Sequence, residues 1–280
     1  MPEPPTVASA LALARELGVE RLDAQLLLAH QLGRTRAWLL AHSDAPVPDS
    51  AVLHRMFARR AAGEPLAYLV GEREFHGLSL RVTPDVLVPR PDTETLVDWA
   101  LDSLSVLTAP RVVDLGTGSG AIALAIKHAC PHAQVHATDS SPAALAVAHD
   151  NGERLALPVN WHLGDWWQAP DPALRFDLAV ANPPYVAAGD PHLAALRHEP
   201  YAALVARNDR GDGMADIERI VGGAADHLRT GAWLLIEHGF NQSQRVCSRL
   251  RQAGFEAIAS RADLAGHPRV SGGRLGAGKD

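Results

Sequence analysis

The sequence predicts an α/β fold: a doubly wound, mainly parallel sheet preceded by a small helical domain. Three observations carry this. From Pro91 onward, short apolar runs alternate with longer stretches of helical periodicity, the pattern of parallel strands joined by crossover helices. A glycine-rich turn, "GTGSG" at 116–120, joins the first such run to its helix. Residues 1–66, by contrast, place apolar side chains at three- and four-residue spacing with no β-like run.

In chain order, "TVASALALARELGV" and "RLDAQLLLAHQLG" read as helices stopped by Gly18 and Gly33, and "DSAVLHRMFARRAAG" as a further helix ending at Gly63. Residues 67–90 change character: short β-like runs broken by Gly71, Gly77 and Pro84 predict a hairpin or extended linker. The third segment, 91–280, holds strands at 111–116, 134–139, 159–165, 176–182, 231–239 and "FEAIASRAD". Helices are expected through "GAIALAIKHA", "SPAALAVAHDNGERL", "MADIERIVGGAADHL" and "NQSQRVCSRLRQAG". Ligands of such sheets bind at the C-terminal strand ends.

Composition narrows the function classes. The chain is 47% hydrophobic and 21% charged, ordinary for a globular protein. With 26 Lys+Arg against 32 Asp+Glu the net charge is −6, which disfavours a protein that grips nucleic acid through its phosphates. Arg55, Arg59 and Arg60 read as a solvated helix face rather than a basic patch. No apolar run is long enough to span a membrane and the N-terminus lacks the pattern of a secretory signal. The two cysteines form no CxxC pair, which fits a reducing, cytoplasmic setting. His128, Cys130, His132 and His136 lie close in sequence, but they span a helix end, a proline and a strand start, so no metal site is expected.

The glycine loop carries the first chemistry. Gly116, Thr117, Gly118, Ser119 and Gly120 lie between a strand and a helix, where glycine lets the backbone approach a ligand and the helix N-terminus presents free N–H groups. The spacing is GxGxG, not the dinucleotide fingerprint GxGxxG. Asp114 precedes the loop, and Asp139 ends the next strand, where an acid accepts from ribose hydroxyls. Asp165 and Trp166 end the third strand, placed to take an exocyclic amine and to cover a base. Trp167 is the competing candidate for that base contact, and core packing under a loop is the alternative for either indole. Together these features predict a nucleoside ligand.

The fourth strand ends in "NPPY", Asn182 to Tyr185. The side-chain oxygen of Asn182 and the carbonyl of Pro183, fixed in direction by Pro184, form a pair of acceptors. Such a pair suits a planar NH₂, holding both N–H groups and stabilising charge that grows on nitrogen. Tyr185 would stack on the flat group. Asn182, Pro183 and Tyr185 are therefore the predicted catalytic residues, and Asn182 to Tyr185 the predicted substrate site.

This order of motifs resembles the S-adenosylmethionine-dependent methyltransferases, and NPPY the branch that methylates planar nitrogens. "YLVGEREFHGLSLRVTPDVLVPRPDTETLV" (68–97), "DPHL…LRHEPYAALVA", "GDGMADIERI" (211–220) and "LLIEHGFNQ" (234–242) further resemble the peptide-chain release factor glutamine methyltransferases, as does "LDAQLLLAHQLGRTRAWLLAH" (22–42). The resemblance implies a seven-stranded, Rossmann-like class I methyltransferase sheet and S-adenosyl-L-methionine as cofactor, with S-adenosyl-L-homocysteine as product. It implies Gly116 to Gly120, Asp139, Asp165, Trp166 and Asn182 as cofactor residues. The acceptor would be the glutamine of the release-factor Gly-Gly-Gln motif, and the helices of residues 1–66 would help dock that partner. The enzyme would act as a cytoplasmic monomer, with no membrane and no stable nucleic-acid binding. Alternatives are a ribosomal-protein glutamine methyltransferase, an adenine amino methyltransferase acting on nucleic acid, and a cofactor-holding module without turnover. Arg90, Asp92 and Glu94 would line the methionine end of the cofactor or form surface ion pairs. Glu237 reads as a structural hydrogen-bonding group rather than an acid or base. Glu199 has no role that chemistry assigns.

Overall fold

The computed structural model describes residues 5–208 and 210–277. Two compact units follow one another along the chain, Met1–Glu72 and Arg73–Asp280.

The first unit is built from α1 (Val7–Glu16), α2 (Arg21–Leu32), α3 (Arg36–Ala41), α4 (Ser50–Ala61) and α5 (Leu66–Val70). Thr6 opens α1 with a capping box: its hydroxyl accepts from the Ser9 amide at 3.3 Å, and the Ser9 hydroxyl accepts from the Thr6 amide at 2.8 Å. Gly33, at φ 60°, closes α2 in the left-handed region that favours glycine. The apolar faces meet in a core around Leu27, Leu28, Leu39, Leu53 and Phe57. Gln25 is buried there, and its Oε1 accepts from the Arg36 guanidinium at 2.9 Å, so this amide oxygen keeps a partner inside the core. Arg60 pairs with Asp23 at 2.7 Å and Arg59 with Glu64, so local acids balance both charges. The helices α3 and α5 are too short to carry a helical period, and neither was legible as a separate element.

Residues 67–90 are divided between an end and a beginning. The helix α5 falls within the first unit, and the hairpin of β1 (Glu72–Phe75) and β2 (Leu78–Arg81) sends Phe75, Leu78 and Leu80 into the core of the second. There follow α6 (Glu94–Leu104), β3 (Arg111–Leu115), α7 (Ala121–Ala129), β4 (Gln134–Asp139), α8 (Pro142–Leu155), β5 (Asn160–Leu163) and β6 (Phe176–Ala181). The chain continues through α9 (Tyr201–Leu204), α10 (Ala215–Gly223), β7 (Leu228–Glu237), α11 (Ser243–Gln252), β8 (Phe255–Ala262) and β9 (Pro268–Leu275).

The seven strands lie in the order β5-β4-β3-β6-β7-β9-β8. The first five are parallel, and β9 runs antiparallel between β7 and β8. Side chains alternate between the two faces. Val112, Leu178 and Leu235 pack with α6 and α7 on one face, and Val113, Ala179 and Leu234 with α10 and α11 on the other. Burial on both sides explains why these strands read as continuous apolar runs. Each fully buried Leu or Ile contributes about 1.5–3 kcal/mol relative to exposure.

The sequence supplied six of these strands and neither β9 nor α6. Gly272 and Gly273 make β9 look like a broken segment. At Gly272 a Cβ would stand 2.4 Å from Leu235 Cδ2 and 2.7 Å from the Leu234 carbonyl, so glycine is what lets β9 lie against β7.

Candidate active site

Register brings the motifs to one edge of the sheet. Leu115 pairs with Thr138 and with Ala181, Asp139 with Leu163, and Ala181 with Ile236. The residues following those pairs therefore meet in a crevice where the chain leaves β3 and β6 in opposite directions, the switch point of a doubly wound sheet. Gly116 to Ser119, Asp139, Asp165, Trp166, Asn182 and Pro184 line this cavity, joined by Arg90 and Thr93. Gly120, Pro183 and Tyr185 are not on its wall.

The glycine loop is shaped by its own strand. The amides of Gly116 and Thr117 both donate to the Thr138 carbonyl, at 2.9 and 2.8 Å. Thr117 turns its hydroxyl inward to Asp114 at 2.6 Å, and the Ala123 amide donates to the same carboxylate oxygen at 3.2 Å. Burial pushes the Asp114 pKa up to about 7 against those two donors, and its Oδ1 is buried without a partner. Gly120, at φ 84°, is the entry to α7: a Cβ there would meet Leu124, Ala148 and Trp161. Asn151 of α8 ties the loop to the hairpin, donating to the Ser119 and Arg81 carbonyls at 3.0 and 2.9 Å.

Asp139 accepts from the Gly118 amide at 2.9 Å and from the Ser141 amide at 2.9 Å, one bond to each oxygen. Burial raises its pKa, and these backbone donors oppose the shift. Its carboxylate is held by backbone alone and keeps lone pairs free for a ligand.

The two tryptophans part company. Trp166 adopts φ 46°, a left-handed conformation rare for a bulky residue, which lays its ring against Gly116. A Cβ on Gly116 would stand 2.7 Å from that ring. Its Nε1 donates to Asp216 at 3.2 Å. Trp167 is buried instead, donating to the Ile220 carbonyl at 2.8 Å and stacking on His227. Arg219 bridges Asp165, through Oδ2, and Asp216. Asp165 therefore stands on the rim as half of an ion pair, with Oδ1 as its remaining acceptor.

At the other end of the crevice, Asn182 Nδ2 donates to the Thr93 hydroxyl at 3.3 Å. No donor among the described residues reaches its Oδ1 or the Pro183 carbonyl. Tyr185 is anchored from both sides. Its hydroxyl donates to Glu237 Oε1 at 3.2 Å, and its carbonyl accepts from Gln242 Nε2 at 3.1 Å. Burial, and then the Glu237 charge, push the Tyr185 pKa up. Burial likewise raises Glu237 to about 7, against the pull of the Thr93 hydroxyl and of Arg269. Gly213 passes so close that a Cβ would lie 2.0 Å from the Tyr185 carbonyl oxygen.

Glu199 now has a place. It is buried, accepts from the Val88 amide at 3.1 Å and pairs with Arg90, which pins the segment before α6 over the crevice. Glu94 accepts from the His76 amide, and Asp92 faces Arg269 at 3.5 Å. His238 bonds Ser271 and the Gly239 carbonyl, and burial lowers its pKa. Cys130 contacts His132, while His136 turns to His162; among the described residues no three metal-ligating groups converge.

Residues 7–71 match the model of the PrmC N-terminal domain, and residues 93–199 that of the methyltransferase small domain. A release factor glutamine methyltransferase of Bordetella pertussis is 51% identical over 267 residues, covering 94% of this chain and 98% of that one. The chain belongs to the release factor glutamine methyltransferase family. A relative of the same name from Burkholderia pseudomallei is 48% identical, covering 97% of this chain and 98% of its own. Among solved structures, a methyltransferase from Pyrococcus furiosus shares the fold (16% identity, TM-score 0.54, 72% of this chain and 90% of that one).

Within this family member, sequence reading missed Thr93, Asp216, Arg219, Gln242 and Arg269. Each reaches the crevice, or a residue anchored beside it, from a distant segment and stands in no motif. Thr93 falls in the family-like stretch 68–97, Asp216 and Arg219 in "GDGMADIERI" and Gln242 in "LLIEHGFNQ", which hinted at their neighbourhoods but not at their roles; Arg269 lies in none of these.

Proposed function

We propose that this enzyme methylates the side-chain amide nitrogen of the glutamine in the Gly-Gly-Gln motif of peptide-chain release factors, using S-adenosyl-L-methionine and leaving S-adenosyl-L-homocysteine. Family membership over nearly the whole chain supports the substrate. One geometric observation supports the chemistry: Asn182 stands on the cavity wall with its NH₂ engaged by Thr93 and its Oδ1 without a protein donor. An acceptor so placed suits a primary amide, which has N–H groups to give.

The opposite part of the crevice fits the cofactor. At Gly118, φ 56°, nothing lies within 4 Å of where a Cβ would stand, so bare backbone forms the cradle. Asp139 is anchored to accept ribose hydroxyls. The Trp166 ring and Asp165 Oδ1 are placed for the adenine. S-adenosyl-L-methionine, when bound, supplies a methyl group on a positively charged sulfur.

The residues of the chain do the rest. Asn182 Oδ1 accepts one N–H of the substrate amide and the Pro183 carbonyl accepts the other, which fixes the nitrogen in orientation. Both dipoles are set before the reaction and stabilise the positive charge that grows on that nitrogen. Tyr185, tied at its hydroxyl and its carbonyl, gives the amide a rigid flat surface. Methylation acidifies the nitrogen, so its proton leaves to water and no strong base is required. We assign release-factor docking to the helices of residues 1–66 and catalysis to residues 91–280. The enzyme works in the cytoplasm as a monomer without stable nucleic-acid binding, in keeping with a translation-factor partner and a net charge of −6. No helix among the described residues is long and apolar enough to cross a membrane.

Methyl transfer from labelled cofactor to purified release factor tests this reading. Label is expected in the wild-type factor and absent when its Gly-Gly-Gln glutamine is replaced. Label entering DNA or ribosomal RNA instead would sink it.

A further inference from the structure

Two side chains of α10 reach the cofactor end of the crevice, although that helix belongs to neither the glycine loop nor NPPY. Asp216, in its first turn, is 3% exposed and lies on the cavity wall. Its Oδ1 accepts from the Trp166 indole N–H at 3.2 Å and from Arg219 Nη1 at 3.1 Å. The other arm of the same guanidinium, Nη2, donates to Asp165 Oδ2. One arginine fork therefore ties two carboxylates together, and one of those carboxylates also ties the ring. These bonds hold a conformation that the local chain does not favour. Trp166 stands at φ 46°, and a bulky residue stays there only where its surroundings over-determine it. Gly116 leaves room for the ring, but room does not fix its direction. The bond from Nε1 to Asp216 does.

We propose that Asp216 and Arg219 are positioning residues that set the nucleobase specificity of the cofactor site: Asp216 fixes the Trp166 ring against Gly116, and Arg219 holds Asp165 as an ionised acceptor for an exocyclic amine. This rests on the reading of Trp166 and Asp165 as the adenine contacts. The selectivity comes from what a carboxylate lacks. Ionised, it has no proton to give, so it accepts from the 6-amino group of adenine and repels a carbonyl oxygen in the same place. Protonated, it would tolerate that oxygen. A guanidinium keeps its charge and offers its N–H groups in a fixed planar fork, so it secures both the ionised state and the direction of Asp165. With Oδ2 taken by Arg219, Oδ1 is the oxygen left for the base. The fixed Trp166 ring gives the base one surface to lie against. Both effects reach the cofactor from a helix that the glycine loop does not contain.

The test is calorimetric binding to the full chain of two ligands: S-adenosyl-L-homocysteine, and its deaminated analogue, in which a carbonyl oxygen replaces the 6-amino group. The wild type is expected to prefer the amine by about tenfold to a hundredfold, the range for one hydrogen bond to a charged group. Arg219→Met removes both ion pairs from an exposed position and keeps the length of the side chain. It is expected to reduce the preference to about threefold or less. A merely structural support would weaken both ligands by one factor, so an unchanged ratio overturns the role of Arg219. Asp216→Ala deletes the acceptor for the indole and is expected to raise the S-adenosyl-L-homocysteine Kd about tenfold. Asp216→Asn keeps an oxygen there and is expected to recover most of that loss. Wild-type affinity in the alanine variant, or an asparagine variant no better than alanine, overturns the role of Asp216. If Asp216→Ala does not fold, Trp166→Phe breaks the same bond from the other end, and wild-type affinity there contradicts the proposal. Asp165→Ala separates the two levels. A preference for the amine that survives in Asp165→Ala, or a wild type that binds both ligands alike, removes the underlying reading. A preference lost in Asp165→Ala and kept in Arg219→Met removes only the positioning role.

Discussion

The two halves of the crevice are built in different ways. On the glycine-loop side, Thr117, Gly118 and Ala123 bond to Asp114 or Asp139 across separations of 3, 21 and 9 residues. On the NPPY side, Asn182 reaches back 89 residues to Thr93, and Tyr185 reaches 52 residues to Glu237 and 57 to Gln242. The first half is a local device, largely completed by backbone amides within one strand–loop–helix–strand unit. The second depends on the whole sheet being assembled, because β7, the turn before α6 and the loop after β7 each contribute one support.

The largest expected effect comes from breaking the acceptor half. Asn182→Ala should cost about a hundredfold or more in kcat, the scale for deleting one preorganised dipole, with cofactor Kd little changed. Steady-state kinetics beside calorimetric cofactor binding would show the split. Equal losses in kcat and cofactor affinity would place Asn182 in the cofactor half instead.

Breaking the other half should give the reverse pattern. Asp139→Ala removes the partner of Gly118 and Ser141 and the expected ribose contact. Cofactor Kd should rise by about tenfold to a hundredfold, consistent with about 1.5–3 kcal/mol for hydrogen bonds to a charged group. At saturating cofactor kcat should largely recover. A variant that binds cofactor normally would refute the assignment.

The smallest effect concerns stability. Asp114 and Glu237 are both buried carboxyls raised to about 7 from ordinary values of 3.8 and 4.5. A raised folded-state pKa means that the folded form binds the proton more tightly. Stability from these groups is full below about pH 4 and is lost as pH rises toward 7. Asp114→Asn should flatten part of that decline, by about 1–2 kcal/mol in urea unfolding between pH 5 and 7.5. An unchanged slope would mean that Asp114 is not the group that titrates.

The same contrast explains what could be read from the sequence. The geometry of the glycine-loop half was legible down to Asp139, since a strand, a glycine turn and an acid at the next strand end follow from short-range patterning. The alternation that predicts the sheet is equally local. What stayed hidden was long-range. Gly272 looks like a strand breaker until β7 is seen 2.4 Å from its missing side chain. Trp166 and Trp167 are neighbours in sequence and opposite in fate, because a left-handed turn at Trp166 sends one ring to the cavity and the other to the core. Tyr185 was expected as an open stacking surface, and its hydroxyl is committed to Glu237. Arg219, which bridges Asp165 and Asp216, and Thr93, which bonds Asn182, lie in family-like stretches, but nothing local shows which distant residue each reaches.

The most direct measurement is mass-spectrometric mapping of a release factor after incubation with the enzyme and S-adenosyl-L-methionine. One added methyl group is expected on the peptide that contains Gly-Gly-Gln, with fragmentation placing it on the glutamine side chain. Methyl on another residue, or an unmodified peptide from an enzyme that still consumes cofactor, would contradict a glutamine acceptor held by Asn182 and Pro183.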